Sequence, residues 1–247
     1  MKNQKNTKIY DDKGFFIIKN FFTKTLVKNI SFEFKNYKKL NCKTYYDRNG
    51  KIRRHERFYN KSKTLRELDK KIKVLLKKIF KKNFIIFKDK FNLKPSKGEG
   101  FSAHYDGIFR FKIKNKNFNG WYKYTNIFIN VLIPIDNCSK KNGTIQIANE
   151  DQLNFNQLFK NTKKNGTPEL LKSYEKKLQF KNIILNKGDI CIFSNRCPHR
   201  SDKNKSNQDR RILYYTYNQK KDGNFYNNYF RDKELSKRKF KSLIGKK

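Results

Sequence analysis

No stretch of 18 or more apolar residues occurs in the 247-residue sequence, so no transmembrane helix is expected. The opening segment, Met1 to Lys8, is polar and leads into no long apolar run, so no secretory signal is expected and the expected location is cytoplasmic. Cysteine is sparse. Cys42, Cys138, Cys191 and Cys197 lack zinc-type clustering and read as reduced thiols. Repeats of 20–50 residues are absent. Acidic residues are few: 61 Lys+Arg against 21 Asp+Glu gives 61 − 21 = +40. Ala, Gly, Pro and Trp are scarce while Lys, Asn, Ile, Phe and Tyr abound. The abundant residues have AT-rich codons, so base composition is the competing reading of the charge. The lysines are also spread along the chain rather than gathered into one arm. Nucleic-acid binding is therefore the weaker reading of the basicity, though it stays open.

What is present suffices for a core: 36% hydrophobic and 15% aromatic residues in a length suited to one domain over 1–247. A strand at Gly14–Ile18 and then a helix are expected within Tyr10–Lys38. Leu65, Leu68, Ile72, Leu75 and Ile79 step by three and four, so residues 64–81 are predicted to form an amphipathic helix, with Thr64 and Glu67 as its capping box. After it the pattern becomes strand-like: Phe84–Lys94, Ile127–Ile135, Thr144–Ala148, Ile183–Leu185, Ile190–Phe193 and Ile212–Asn218, with turns at Asn142-Gly143 and Lys187-Gly188-Asp189. Leu153–Lys177 reads as an inserted excursion, and a basic tail (236–247) closes the chain. Helices first and strands later predict an α+β protein with a mainly β core and flanking helices.

The chain holds three histidines, and two of them stand in suggestive company. His104-Tyr105-Asp106 places an imidazole and a carboxylate two residues apart, on one face if the backbone is extended. His199, beyond the strand Ile190–Phe193, offers a third ligand. Two imidazoles and a carboxylate on one face leave three coordination positions open, the ligand set of non-haem Fe(II) oxygenases. Zinc hydrolases use the same residue types. Arg210, eleven residues past His199 and leading a new apolar strand, can reach back to grip a carboxylate in bidentate fashion, with Ser201 adding a hydroxyl. The distal carboxylate of 2-oxoglutarate needs such a grip.

These residues resemble the phytanoyl-CoA dioxygenase family of Fe(II)/2-oxoglutarate oxygenases. His104-Tyr105-Asp106 matches its His-x-Asp, and Gly188-Asp189 opens a strand as in the family. His199, Ser201, Asn204, Ser206 and Arg210 repeat its H-x-S-x-x-N-x-S-x-x-x-R pattern position by position. Further pieces resemble the bacterial branch that includes 2-aminoethylphosphonate dioxygenase: Arg53–Phe58, Lys88–Pro95 running into Gly98–His104, Asn142-Gly143-Thr144, Tyr217-Asn218 and Tyr229–Lys233. The resemblance spans about residues 53–235. It implies a double-stranded β-helix (jelly-roll, cupin-like) barrel. It also implies Fe(II) on His104, Asp106 and His199, 2-oxoglutarate on Arg210, Ser201 and Asn92, and O2 as oxidant. The implied reaction hydroxylates a small anionic metabolite, with succinate and CO2 as co-products. Asp106 is retained where halogenating relatives carry a small residue, so hydroxylation is expected. Tyr105 replaces the usual Gln, and Asn149-Glu150-Asp151 replaces a common Gly-Ser-His segment. Both departures lie near the expected substrate entrance.

Strand alternation puts Lys88, Lys90, Asn92 and Lys94 on one face of Phe84–Lys94, and Phe87, Asp89, Phe91 and Leu93 on the other. Either the polar face is a solvated edge, or it looks into the barrel with Lys90 or Lys94 meeting an anionic substrate group. Trp121, the sole tryptophan, is a candidate substrate wall. His55, Asn204, Ser206 and Asp189 read as structural, and Arg211 as solvent-facing or salt-bridged. The alternatives are an oxygenase for an acyl thioester or lipid, and a non-catalytic basic nucleic-acid binder on an oxygenase scaffold. A monomer or homodimer is expected.

Overall fold

The computed structural model describes residues 2–47 and 49–236; apart from Ser236, the expected basic tail lies outside the described residues. The chain opens with α1 (Lys2–Lys13), β1 (Phe15–Ile18), α2 (Lys24–Lys35), β2 (Lys43–Tyr46) and β3 (Ile52–Glu56). It continues through α3 (Lys63–Phe80), β4 (Phe84–Lys94) and β5 (Phe101–His104). A hairpin of β6 (Arg110–Ile113) and β7 (Lys116–Asn119) precedes β8 (Phe128–Pro134) and β9 (Ile145–Ile147). The excursion carries α4 (Phe155–Lys160) and α5 (Lys172–Glu175). Then follow β10 (Lys181–Asn182), β11 (Ile190–Ser194), β12 (His199–Ser201), β13 (Arg210–Gln219) and α6 (Tyr226–Leu235).

Two antiparallel sheets face one another. The larger has the order β1-β11-β8-β13-β4-β3-β2 and the smaller β10-β9-β12-β5. This is the expected jelly-roll with flanking helices. Residue parity divides the larger sheet. Leu132, Cys191, Phe193, Ile212 and Tyr214 point inward and pack on Ile145, Ile147 and Leu185. Their neighbours Val131, Ile133, Ile190, Ile192, Leu213 and Tyr215 point outward, against α2 and α3.

The apolar stripe of α3 explains its seat. Leu65, Leu68, Ile72, Leu76 and Ile79 are buried, each contributing about 1.5–3 kcal/mol. Leu68→Ala would cost about 2–5 kcal/mol. The expected capping box is not the one used: Ser62, two residues earlier, accepts from the Leu65 amide and donates to Glu33. A hydroxyl tied to a neighbouring helix makes Ser62 the better-fixed cap. Ile183–Leu185 is also not a regular strand, since only Lys181–Asn182 pairs with β9 before the chain bridges Cys138 through Leu185.

The face assignment along β4 needs one correction. Thr216 pairs with Lys88 but Tyr217 pairs with Ile86, so Phe87 is the extra residue of a β-bulge. Ile86 takes the outward core position. Phe87 instead packs with Trp121 and Phe128, not on the Phe91 face. Beyond the bulge, Lys88, Lys90 and Asn92 point into the barrel, and Asp89 stays outward, accepting the amides of Arg57, Phe58 and Tyr59.

Candidate active site

Two short strands set the histidines side by side. In the β12–β5 ladder His199 lies directly opposite His104, and their ring centroids are 4.1 Å apart. Each ring is fixed by a carbonyl two residues earlier: His104 Nδ1 lies 2.7 Å from Ser102 O and His199 Nδ1 3.1 Å from Cys197 O. A carbonyl only accepts, so each Nδ1 carries the hydrogen. Each Nε2 lone pair is thereby left for a metal. Burial pushes both imidazoles below their ordinary value, favouring the neutral, ligating form.

β5 ends at His104, so Asp106 sits just past the strand rather than on it. Reciprocal bonds with Asn195 hold its backbone: Asp106 N donates to Asn195 O, and Asn195 Nδ2 donates to Asp106 O. Asn130 Nδ2 donates to the carboxylate at 3.0 Å, and Thr216 Oγ1 donates to Asn130 Oδ1 at 2.7 Å. Burial opposes ionisation of Asp106, but Lys90, Lys88 and the two imidazoles outweigh it and hold the carboxyl below its usual range. Ligand atoms of His104, Asp106 and His199 all lie within 4.8 Å of one another. Gly107, at φ +85°, follows at once; a Cβ there would stand 2.6 Å from the Trp121 indole. Glycine lets the tryptophan close over the loop that carries Asp106.

The three ligands line a cavity of about 510 Å³. Arg210, the first residue of β13 and only 2% exposed, lines the same cavity. Its Nε and Nη1 have no acceptor among the described residues. A buried guanidinium with two unmet donors is a socket for an anion. Ser201 borders the same cavity. Its Oγ accepts from Lys94 Nζ at 2.8 Å, which leaves the hydroxyl hydrogen available to the same anion.

Lys94 is not placed to meet a substrate. Its ammonium donates to Gly143 O at 3.0 Å, to Ser201 Oγ and to Asp202 O at 2.5 Å. All three hydrogens are spent on the protein, and Lys94 does not line the cavity. Gly143, at φ +66°, permits this approach; a Cβ there would come within 2.3 Å of Asp202 O. Expectation went astray because these acceptors come from loops about 50 and 108 residues downstream.

Lys90, Asn92 and Trp121 all line the cavity. Asn92 Oδ1 accepts from Arg54 Nε at 3.0 Å, so its Nδ2 is the group offered inward. Sequence reasoning passed over several wall residues. Lys88 shares the parity of Lys90, a signal already on the strand. Asn130 stands out as an amide in the apolar run Phe128–Pro134. Arg54 and the α6 residues Tyr229, Asp232 and Lys233 also line the cavity, but distant folding alone brings them there. Residues read as structural behave so: His55 bonds Thr44 Oγ1 at 3.0 Å, Asn204 ties Lys94 O, Pro95 O and Gln208 O, and Arg211 pairs with Asp136.

A family model described as Phytanoyl-CoA dioxygenase (PhyH) matches residues 10–212. The chain is similar to methylphosphonate hydroxylase of Gimesia maris, 30% identical over 152 residues, 62% of this chain and 52% of that protein. It is also similar to 2-aminoethylphosphonate dioxygenase of an uncultured bacterium, 27% identical over 149 residues, 60% of this chain and 51% of that protein. The chain thus spans about half the length of the curated relatives it matches. Among solved structures, EctD from S. alaskensis superposes with a TM-score of 0.67 at 13% identity, covering 88% of this chain and 77% of that one. The epimerase SnoN, in complex with Fe3+ and alpha ketoglutarate, gives 0.66 at 14% identity, covering 86% and 82%. At such identities the likeness establishes the jelly-roll fold. No helix among the described residues is long and apolar enough to cross a membrane.

Proposed function

Because the chain belongs to the phytanoyl-CoA dioxygenase family, we propose that it is an Fe(II)- and 2-oxoglutarate-dependent hydroxylase of a small organic anion. The observation that carries this is Arg210, a buried guanidinium with two unmet donors, in one cavity with the His104, Asp106, His199 cluster. A zinc hydrolase would have a use for the three ligands but none for that arginine.

The roles follow from the geometry. His104 Nε2, His199 Nε2 and the Asp106 carboxylate would hold Fe(II), a ligand set that suits that metal. Arg210 grips the distal carboxylate of 2-oxoglutarate in bidentate fashion and Ser201 adds a hydroxyl donor. Asn92 presents its Nδ2 to the same cosubstrate. Fe(II) with 2-oxoglutarate and O2 supplies the oxidising power, leaving succinate and CO2. Asn130 keeps Asp106 in place as a ligand, which leaves no gap for halide and favours hydroxylation. Lys90 meets the anionic group of the substrate, while Trp121 and the aromatic wall exclude water. Relatives named for methylphosphonate and 2-aminoethylphosphonate support a small anion over an acyl thioester.

The test is anaerobic titration of metal-free protein with Fe(II) and then 2-oxoglutarate, followed by visible absorbance. A weak charge-transfer band that needs both additions is the expected result. Its absence in folded protein that binds Fe(II) would remove 2-oxoglutarate from the reading.

A further inference from the structure

The cavity carries more positive charge than its reading so far employs. Arg54 lies 3.4 Å from Glu56, Glu56 also meets Lys233, and Lys123 pairs with Asp232. Arg210 is assigned to the cosubstrate. Arg200 pairs with Glu175, Arg110 and Lys112 are exposed, and of the buried lining cations Lys88 and Lys90 remain. Both are more than nine-tenths buried, at 9% and 8% exposure, and both line the cavity. Neither forms a hydrogen bond or an ion pair among the described residues. Each ammonium faces an aromatic ring instead: Lys88 Nζ lies 4.0 Å from the Trp121 centroid and Lys90 Nζ 4.6 Å from that of Tyr214.

Burial lowers the pKa of both lysines, and the carboxylates of Asp106 and Glu56 favour their charged forms, but Asp106 belongs to the metal-binding cluster and Glu56 is already met by Arg54 and Lys233. Two desolvated cations on one wall, with no carboxylate of their own, leave a deficit of two negative charges. Regular pairing beyond the bulge at Phe87 sets Lys88 and Lys90 on this same wall. Resting on the oxygenase reading above, we infer that Lys88 and Lys90 together form the head-group subsite for a doubly charged tetrahedral oxyanion, a phosphonate or a phosphate monoester. Lys88 is the residue that separates such dianions from singly charged carboxylates. One carboxylate would satisfy one ammonium and leave the other buried without a counter-charge.

The chain contains a single tryptophan, and it is the ring under Lys88. Trp121 fluorescence therefore reports capture of the ammonium without any need for turnover. The experiment uses anaerobic protein loaded with Fe(II) and 2-oxoglutarate, so that Arg210 is occupied. Loading is checked by the charge-transfer band; a missing band counts against the oxygenase reading before any anion is added. Inorganic phosphate, methylphosphonate, ethyl phosphate and acetate are then titrated at constant ionic strength. A saturable fluorescence change is expected for the dianions, with acetate at least tenfold weaker. Lys88→Met and Lys90→Met should each weaken dianion binding at least tenfold. Both should melt no lower than the parent, because each removes an unpaired buried charge and keeps most of the stem. Acetate binding as tightly as methylphosphonate would overturn the inference, as would unchanged binding in both variants. So would a lowered melting temperature in both, which would mark the lysines as structural. Whichever organic dianion raises succinate release in air tells a phosphonate substrate from a phosphate ester.

Discussion

Arg210→Met separates stability from function at one position. In the metal-free protein the guanidinium is buried with Nε and Nη1 unmet among the described residues. Each unmet donor costs about 1–3 kcal/mol. Methionine keeps an unbranched apolar stem and abolishes both donors. The metal-free variant is therefore expected to be more stable, by about 2 kcal/mol once imperfect packing is allowed for. For a chain of this size that is a rise in Tm of about 4–8 °C. In the loaded protein the sign reverses. Two charge-assisted hydrogen bonds to a carboxylate are worth about 1.5–3 kcal/mol each, so their loss weakens 2-oxoglutarate binding by about 10²–10⁴-fold. Thermal melts of metal-free protein and anaerobic 2-oxoglutarate titrations read the two halves. Arg210→Lys, which keeps the charge without the planar fork, should fall between. A metal-free Arg210→Met that melts below the parent, or that binds 2-oxoglutarate normally, would refute the socket.

Other expectations concern the ligands and the core around them. His104→Ala and His199→Ala should each lose stoichiometric Fe(II) binding and substrate-independent succinate formation, and normal iron content in either variant would remove that residue from the set. Lys94→Met should destabilise the fold by about 3 kcal/mol, because Gly143 O, Ser201 Oγ and Asp202 O lose their shared donor; a melt matching the parent would contradict its anchoring role. His55 is held down to about 4 by burial. Between that value and about 6.5, its unfolded value, the unfolded chain binds the proton and the folded chain does not. Stability therefore falls as pH drops through this window, by up to about 3 kcal/mol. Urea unfolding at pH 7 and pH 4.5 should show His55→Gln losing less than the parent, and equal losses would exclude His55 as the cause.

What was legible in the sequence was local. His104 and Asp106 are two residues apart, and Ser201, Asn204, Ser206 and Arg210 follow His199 at fixed intervals, so one short stretch each carries most of the cluster. The helix α3 and the strand β4 announce themselves by period. The misreadings have physical causes of a different range. The bulge at Phe87 depends on how β4 pairs with a strand about 130 residues later, and alternation within β4 is blind to it. Lys94 looked like Lys90 because both have the same parity, yet only Lys94 comes under the carbonyls of Gly143 and Asp202. Thr64 fits a capping box as well as any threonine would; Ser62 prevails through Glu33 on another helix. Arg54 and the α6 residues lie in segments that carry only a resemblance, Arg53–Phe58 and Tyr229–Lys233, and nothing in their local pattern says that they meet in one wall, because they are distant in the chain.

The position of β13 bears on how the chain is made. It lies between β8 and β4 and pairs with both, although it is made after every other described strand. Until residue 219 is synthesised, β4 and β8 each present an unpaired apolar edge toward the same gap. The nascent chain must hold that gap open from residue 134, where β8 ends, to residue 219, where β13 ends. Slow closure of such long-range pairs exposes the intermediate to edge-to-edge association. A holding chaperone that covers these two edges until β13 arrives should therefore raise the soluble fraction on expression.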